Sequence, residues 1–173
     1  MTGDRIKVWD LPVRVFHWGL VAMVATAYLT SEDAEAPHRW AGYIVLALLA
    51  FRVVWGFVGS AHARFADFVP RPAVLRDYVG CLLRGREPRH LGHNPAAAVM
   101  ILFLMAMLGL IGATGWLMTT DWGWGSELLE ELHEGAVNLT LAAVVLHVAA
   151  AVFESVRHRE NLVRAMITGY KRR

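Results

Sequence analysis

Only one cysteine, Cys81, occurs in the sequence, so no disulfide can close within the chain and a cysteine-ligated zinc or iron–sulfur centre has no support. Net charge is also small, +2, and the basic residues flank apolar runs rather than forming the patch that nucleic acid would require. Internal repeats and low-complexity tracts are absent. The N-terminus lacks the form of a cleavable signal: Asp4, Asp10 and Pro12 interrupt it, and no small-residue cleavage site follows the first apolar run. That run is therefore expected to persist as a membrane anchor.

What the sequence has is hydrophobicity. Apolar residues make up 56% of 173 positions and mean hydropathy is +0.40. Soluble domains use about 45–50% apolar residues, and here the excess lies in long runs. A hydrocarbon core of about 30 Å takes about 20 apolar residues as a helix, because the bilayer offers no water to an open backbone. Four segments qualify, at about 13–30, 38–59, 95–118 and 132–153. The expectation is one domain over 1–173, with a loop at 60–94 and a tail at 154–173.

Charge then orients the spans. Fifteen of the seventeen Lys and Arg residues fall in the leading segment, the 60–94 loop and the tail, which four spans place on one side. The opposite loops carry Glu32, Asp33 and Glu35, and Asp121, Glu127, Glu130, Glu131 and Glu134. The positive-inside rule makes both termini cytoplasmic. In the loop, apolar residues interleaved with arginines predict a surface helix over about 73–83, and the tail predicts another over 161–167. Trp116, Trp122 and Trp124 suit the outer interface.

Polar groups inside a membrane are costly and usually functional. Four of the eight histidines, His17, His38, His133 and His147, fall in or at the ends of spans. Depth sorts them into two pairs. His17 and His147 lie toward the cytoplasmic side, and His38 and His133 stand at the outer mouths. Fourteen residues separate His133 from His147, nearly four helical turns, so both share one face within about 40° and lie about 21 Å apart along the axis. Two depth-matched pairs suit imidazole ligation of two haems between helices. A zinc ion would find only two ligands per pair. Structural hydrogen bonds between helices and a proton relay remain open for the same histidines. With both axial positions filled, neither iron would bind oxygen, and the haems would relay electrons.

Haem propionates favour cations near an interface. Arg14, Arg52 and Arg64 are the cytoplasmic candidates and Arg39 the outer one; Arg52 could equally snorkel to the headgroups.

Several motifs together resemble the bacterial cytochrome b561 family, especially the b-type cytochrome subunit of nickel–iron hydrogenases. They are Val8-Trp9-Asp10-Leu11-Pro12-Val13-Arg14-Val15-Phe16-His17-Trp18, His38-Arg39-Trp40-Ala41-Gly42-Tyr43 and Arg52-Val53-Val54-Trp55-Gly56-Phe57-Val58-Gly59-Ser60. Gly92-His93-Asn94-Pro95, Leu132-His133-Glu134 and the tail Asn161-Leu162-Val163-Arg164-Ala165-Met166-Ile167-Thr168-Gly169 complete the set. The resemblance runs nearly end to end. It implies an all-α membrane protein, a four-transmembrane-helix bundle enclosing two b-type haems, with ligand pairs His17/His147 and His38/His133. It also implies a quinone or quinol partner and a bacterial inner membrane location. Electrons would pass between the quinone pool and a periplasmic cytochrome c or oxidoreductase subunit, which the acidic outer loops would attract if it is basic. Superoxide oxidation with delivery to quinone is one alternative, opposed by the negative outer surface. A non-redox anchor for a larger membrane complex is another.

Overall fold

The computed structural model describes Arg5–Arg173; Asp4, one of the residues that interrupt the leading segment, lies outside the described residues. Among the described residues, four helices are long and apolar enough to cross a membrane: α1 (Leu11–Leu29), α2 (Glu35–Val58), α5 (Pro95–Met118) and α6 (Glu127–Arg157). Between α2 and α5 come a single 3-10 turn (Ala61–Ala63), a four-residue α3 (Phe65–Phe68) and α4 (Pro72–Leu83). A short α7 (Leu162–Thr168) follows α6. The ends form two strands, β1 (Arg5–Lys7) and β2 (Tyr170–Arg172), paired antiparallel with Ile6 opposite Lys171.

Local chemistry accounts for most of these limits. Asp10 caps α1, its Oδ1 accepting from the Val13 N–H at 2.8 Å, and Pro12 sits in the first turn where no intrahelical donor is lost. Asn94 does the same for α5, accepting from the Ala97 N–H at 2.7 Å ahead of Pro95. Hydroxyls within the spans turn back on their own helices. Thr26 donates to Ala22 O at 2.9 Å and Thr140 to Ala136 O at 2.7 Å, which satisfies them without water.

The helix α6 has 31 residues and outruns the expected 132–153 at both ends. Glu127 and Glu130 in its first turn and Arg157 in its last complement the helix dipole, so the polar extensions remain helical beyond the apolar run. The surface helices agree closely with expectation: α4 begins at Pro72 and α7 spans Leu162–Thr168.

Two compact units emerge. The first comprises the residues up to Arg14, Val54–Leu102 and Val145–Arg173. Its core is Val8, Trp9, Val13, Ala63 and Ala165, joined by Trp55 and Met166. Asp10 serves it twice over, since its Oδ2 also accepts from Trp55 Nε1 at 2.9 Å and Ser60 Oγ at 2.6 Å. Burial would raise the Asp10 carboxyl, but donors from Ser60, Val13 and Trp55 outweigh it and hold the group below its ordinary range. The ribbon belongs to this unit, so Arg5–Lys7 and Tyr170–Arg172 lie together.

The second unit comprises Val15–Val53 and Phe103–Val144. Phe16, Val45, Leu49 and Leu108 form its buried core, with Leu20, Met23 and Met105 against them. A Cβ on Gly112 would fall 2.4 Å from Leu46 Cδ2, so a glycine here permits close approach.

Candidate functional site

In the second unit His38, near the start of α2, meets His133 on α6. Their ring centres are 6.2 Å apart with planes at 64°. Two imidazoles that reach one metal from opposite sides through bonds of about 2 Å put their ring centres about 6–6.5 Å apart, whereas the tetrahedral angle of a zinc site would bring them to about 5 Å.

The tautomers follow from the remaining contacts. His38 Nδ1 is 2.8 Å from Ala27 O. A carbonyl only accepts, so the proton is on Nδ1 and Nε2 carries a lone pair. His133 Nδ1 is 3.0 Å from Thr114 Oγ1. The Thr114 hydroxyl has Leu110 O at 2.9 Å and Ile111 O at 3.0 Å to donate to, so its oxygen accepts from His133. Each ring thus offers Nε2 to a ligand while Nδ1–H is held by the protein, the usual arrangement for metal-binding histidine.

Space is present as well. A Cβ on Gly42, one turn beyond His38, would meet nothing within 4 Å, whereas one on Gly115 would press to 3.1 Å from His133 Cε1. Among the described residues no group of three or more His, Cys, Asp or Glu could hold a metal ion. A metal between His38 and His133 would need further ligands of its own, as iron has in a porphyrin. The residues present fit a haem.

The other expected ligands are distributed differently. His17, half-buried, belongs to the second unit and its ring stands edge-on to Trp18, centres 5.1 Å apart. His147, half-buried on α6, belongs to the first unit. Of the arginines, Arg52 is only 3% exposed, which puts it inside the protein rather than on the headgroup surface. Arg39 pairs with Glu35 at 3.2 Å, and both side chains are exposed. Arg14 donates from its guanidinium to Ile167 O in the tail. Arg64 pairs with Asp67 at 2.8 Å.

Sequence reasoning passed over three contributors. Thr114 sat unnoticed in an apolar run, and only its being a hydroxyl within the span marked it, not its separation from His133. Ala27 acts through its backbone, which no side-chain pattern reveals. Glu154, two turns beyond His147 on the same face of α6, accepts from Tyr78 Oη and Asn94 Nδ2, each at 3.1 Å, and its other oxygen lies 3.2 Å from His158 Nε2. Burial, followed by the charge of Glu154, pushes the Tyr78 phenol well above its ordinary value, so it stays a donor.

A second polar cluster locks the tail. Glu160 accepts from Arg89 at 3.0 Å, Arg172 N–H at 2.9 Å and Lys171 Nζ at 3.3 Å. Burial raises the Glu160 carboxyl, yet these donors together hold it below its ordinary range. For Lys171 burial wins, and its ammonium is pushed down despite Glu160. Nearby, Arg157 Nε holds Glu87 at 2.8 Å and lowers its carboxyl.

Known proteins align along almost the whole chain. It is 28% identical to a probable Ni/Fe-hydrogenase B-type cytochrome subunit of Rhodobacter capsulatus, over 96% of this chain and 81% of that protein. It is 26% identical to the like-named protein of Rhizobium leguminosarum bv. viciae, over 96% and 88%. A probable Ni/Fe-hydrogenase 1 B-type cytochrome subunit of Escherichia coli (strain K12) is 25% identical, over 95% and 89%. No solved structure matches the chain. The family model for the prokaryotic cytochrome b561 matches residues 8–169, and the chain belongs to that family of membrane electron-transfer cytochromes.

Proposed function

We propose that this chain carries two b-type haems, one held by His38 and His133 and the other by His17 and His147, and conducts electrons across the membrane between the quinone pool and a redox partner. The observation that carries the reading is the His38–His133 pair, 6.2 Å between ring centres with both Nδ1 positions already engaged. A haem bound there would supply a one-electron iron couple, with the imidazoles holding the iron.

The residues divide the remaining work. Ala27 O and Thr114 Oγ1 fix the imidazole protons and orient the rings. Gly42 leaves room beside His38. Arg52, which is buried, supplies a cation for a propionate, and Arg14 and Arg39 do so nearer the interfaces. The arginine-rich side faces the cytoplasm of a bacterial inner membrane, with both termini there. The meeting of β1 and β2 supports a common side for the ends. The partner docks against the acidic outer loops. It is an oxidoreductase subunit of the hydrogenase kind, as the relatives' names suggest, or a basic cytochrome c.

Haem quantitation with reduced-minus-oxidised spectra tests this. Wild type is expected to hold two haems per chain, and His38→Ala, His133→Ala and His147→Ala each to lose one. Spectra unchanged by all three substitutions would remove the ligand assignment, and reduced haem that quinone fails to reoxidise would remove the quinone partner.

A further inference from the structure

A helix that ends in the left-handed conformation normally does so on glycine, because a Cβ is crowded there. The end of α6 has that geometry: Glu160 N–H donates back to Ser155 O at 2.9 Å and Arg159 N–H to Val156 O at 3.2 Å. The left-handed residue, however, is Arg159 with φ 50°, the one non-glycine at positive φ among the described residues. Gly85, Gly125 and Gly169 fill the other such positions. A strained backbone that persists at one place points to what its side chain does there.

Arg159 helps line a shallow, open surface groove with Val152, Ser155, Val156, Asn161 and Val163. Val156 is 75% exposed, so the apolar wall is open to the surroundings. Three nearby cations are already paired: Arg157 with Glu87, and Arg89 and Lys171 with Glu160. The Glu160 carboxylate also lines the groove but is neutralised by those two partners. No carboxylate pairs with Arg159 among the described residues, although its guanidinium is charged and exposed at the end of a membrane-length helix. Val152, Ser155 and Val156 stand about 80–180° around α6 from His147, so the groove is not on the face that carries this histidine. An apolar wall with an unmatched cation at its rim, at the end of a span, complements one chemistry.

We infer that this groove binds an anionic phospholipid, its phosphate on Arg159 and an acyl chain along Val152 and Val156. The charge on Arg159 answers the anionic headgroup, and the valines answer the chain. The side chain's binding offsets the strain of its own backbone, which explains arginine where glycine would fold more easily.

The full-length, haem-loaded protein in phosphatidylcholine nanodiscs, titrated with phosphatidylglycerol, provides the test. Thermal midpoint and the lipid retained in native mass spectrometry are read together. Wild type is expected to keep one phosphatidylglycerol and to gain thermal midpoint as that lipid is added. Arg159→Gly is expected to start from a higher midpoint in phosphatidylcholine alone, since strain is relieved, and to bind phosphatidylglycerol about tenfold or more weakly. Undiminished phosphatidylglycerol binding by Arg159→Gly would overturn the proposal. A lower midpoint in phosphatidylcholine would also overturn it, because Arg159 would then be holding the fold. If inorganic phosphate alone reproduced the rise, the groove would be an anion site and the lipid assignment would fall.

Discussion

Replacing Thr114 with valine removes one oxygen and almost nothing else. The side chain is only 4% exposed and valine has nearly its shape. What is lost is the acceptor 3.0 Å from His133 Nδ1. A neutral hydrogen bond contributes about 1 kcal/mol, and leaving the imidazole N–H buried without an acceptor costs about 1–3 kcal/mol. An imidazole whose N–H is held is the more basic ligand, which favours ferric iron. Thr114→Val should therefore raise the potential of the haem proposed between His38 and His133. The ceiling is the whole bond: about 1 kcal/mol at 59 mV per tenfold for one electron is about 40 mV. Because only part of the bond differs between oxidation states, a rise of about 10–40 mV is expected. Retention of that haem should also weaken, by about 10–100-fold in affinity. Spectroelectrochemical titration of both haems measures the shift. Thr140→Val is the control, since this buried hydroxyl bonds Ala136 O on its own helix. An unchanged or lowered potential in Thr114→Val, or an equal shift in the control, would refute the reasoning.

Further outcomes follow from the first unit. Glu160→Gln should destabilise the protein by about 3–5 kcal/mol, because Lys171, 5% exposed, would keep a buried charge without its carboxylate; chemical denaturation in detergent measures it. The same carboxyl gives a pH dependence. Its folded pKa lies below the unfolded value, so its contribution is complete above about pH 4.5 and declines as pH falls through the lowered folded value. A thermal midpoint that rises on acidification through that window in wild type would contradict this. Gly169→Ala combines a φ of +88° with a Cβ 2.6 Å from Trp9 O, a backbone atom that cannot step aside. It should cost about 2–4 kcal/mol and loosen the terminal ribbon, seen as faster amide exchange at Tyr170–Arg172.

The sequence alone determined the four apolar spans, the segregation of charge and the depth and phase of the histidines. These depend on neighbours along the chain: hydropathy over about 20 residues, and rotation of about 100° per residue. The surface helices at Pro72–Leu83 and Leu162–Thr168 were legible for the same reason. Tertiary structure decided what joins distant residues. Ala27 O meets His38 across 11 positions, Thr114 meets His133 across 19, Trp55 meets Asp10 across 45 and Tyr78 meets Glu154 across 76. No periodicity encodes such meetings. A hydrogen bond acts over about 3 Å, so which nitrogen of a histidine keeps a free lone pair is fixed only once the helices have packed.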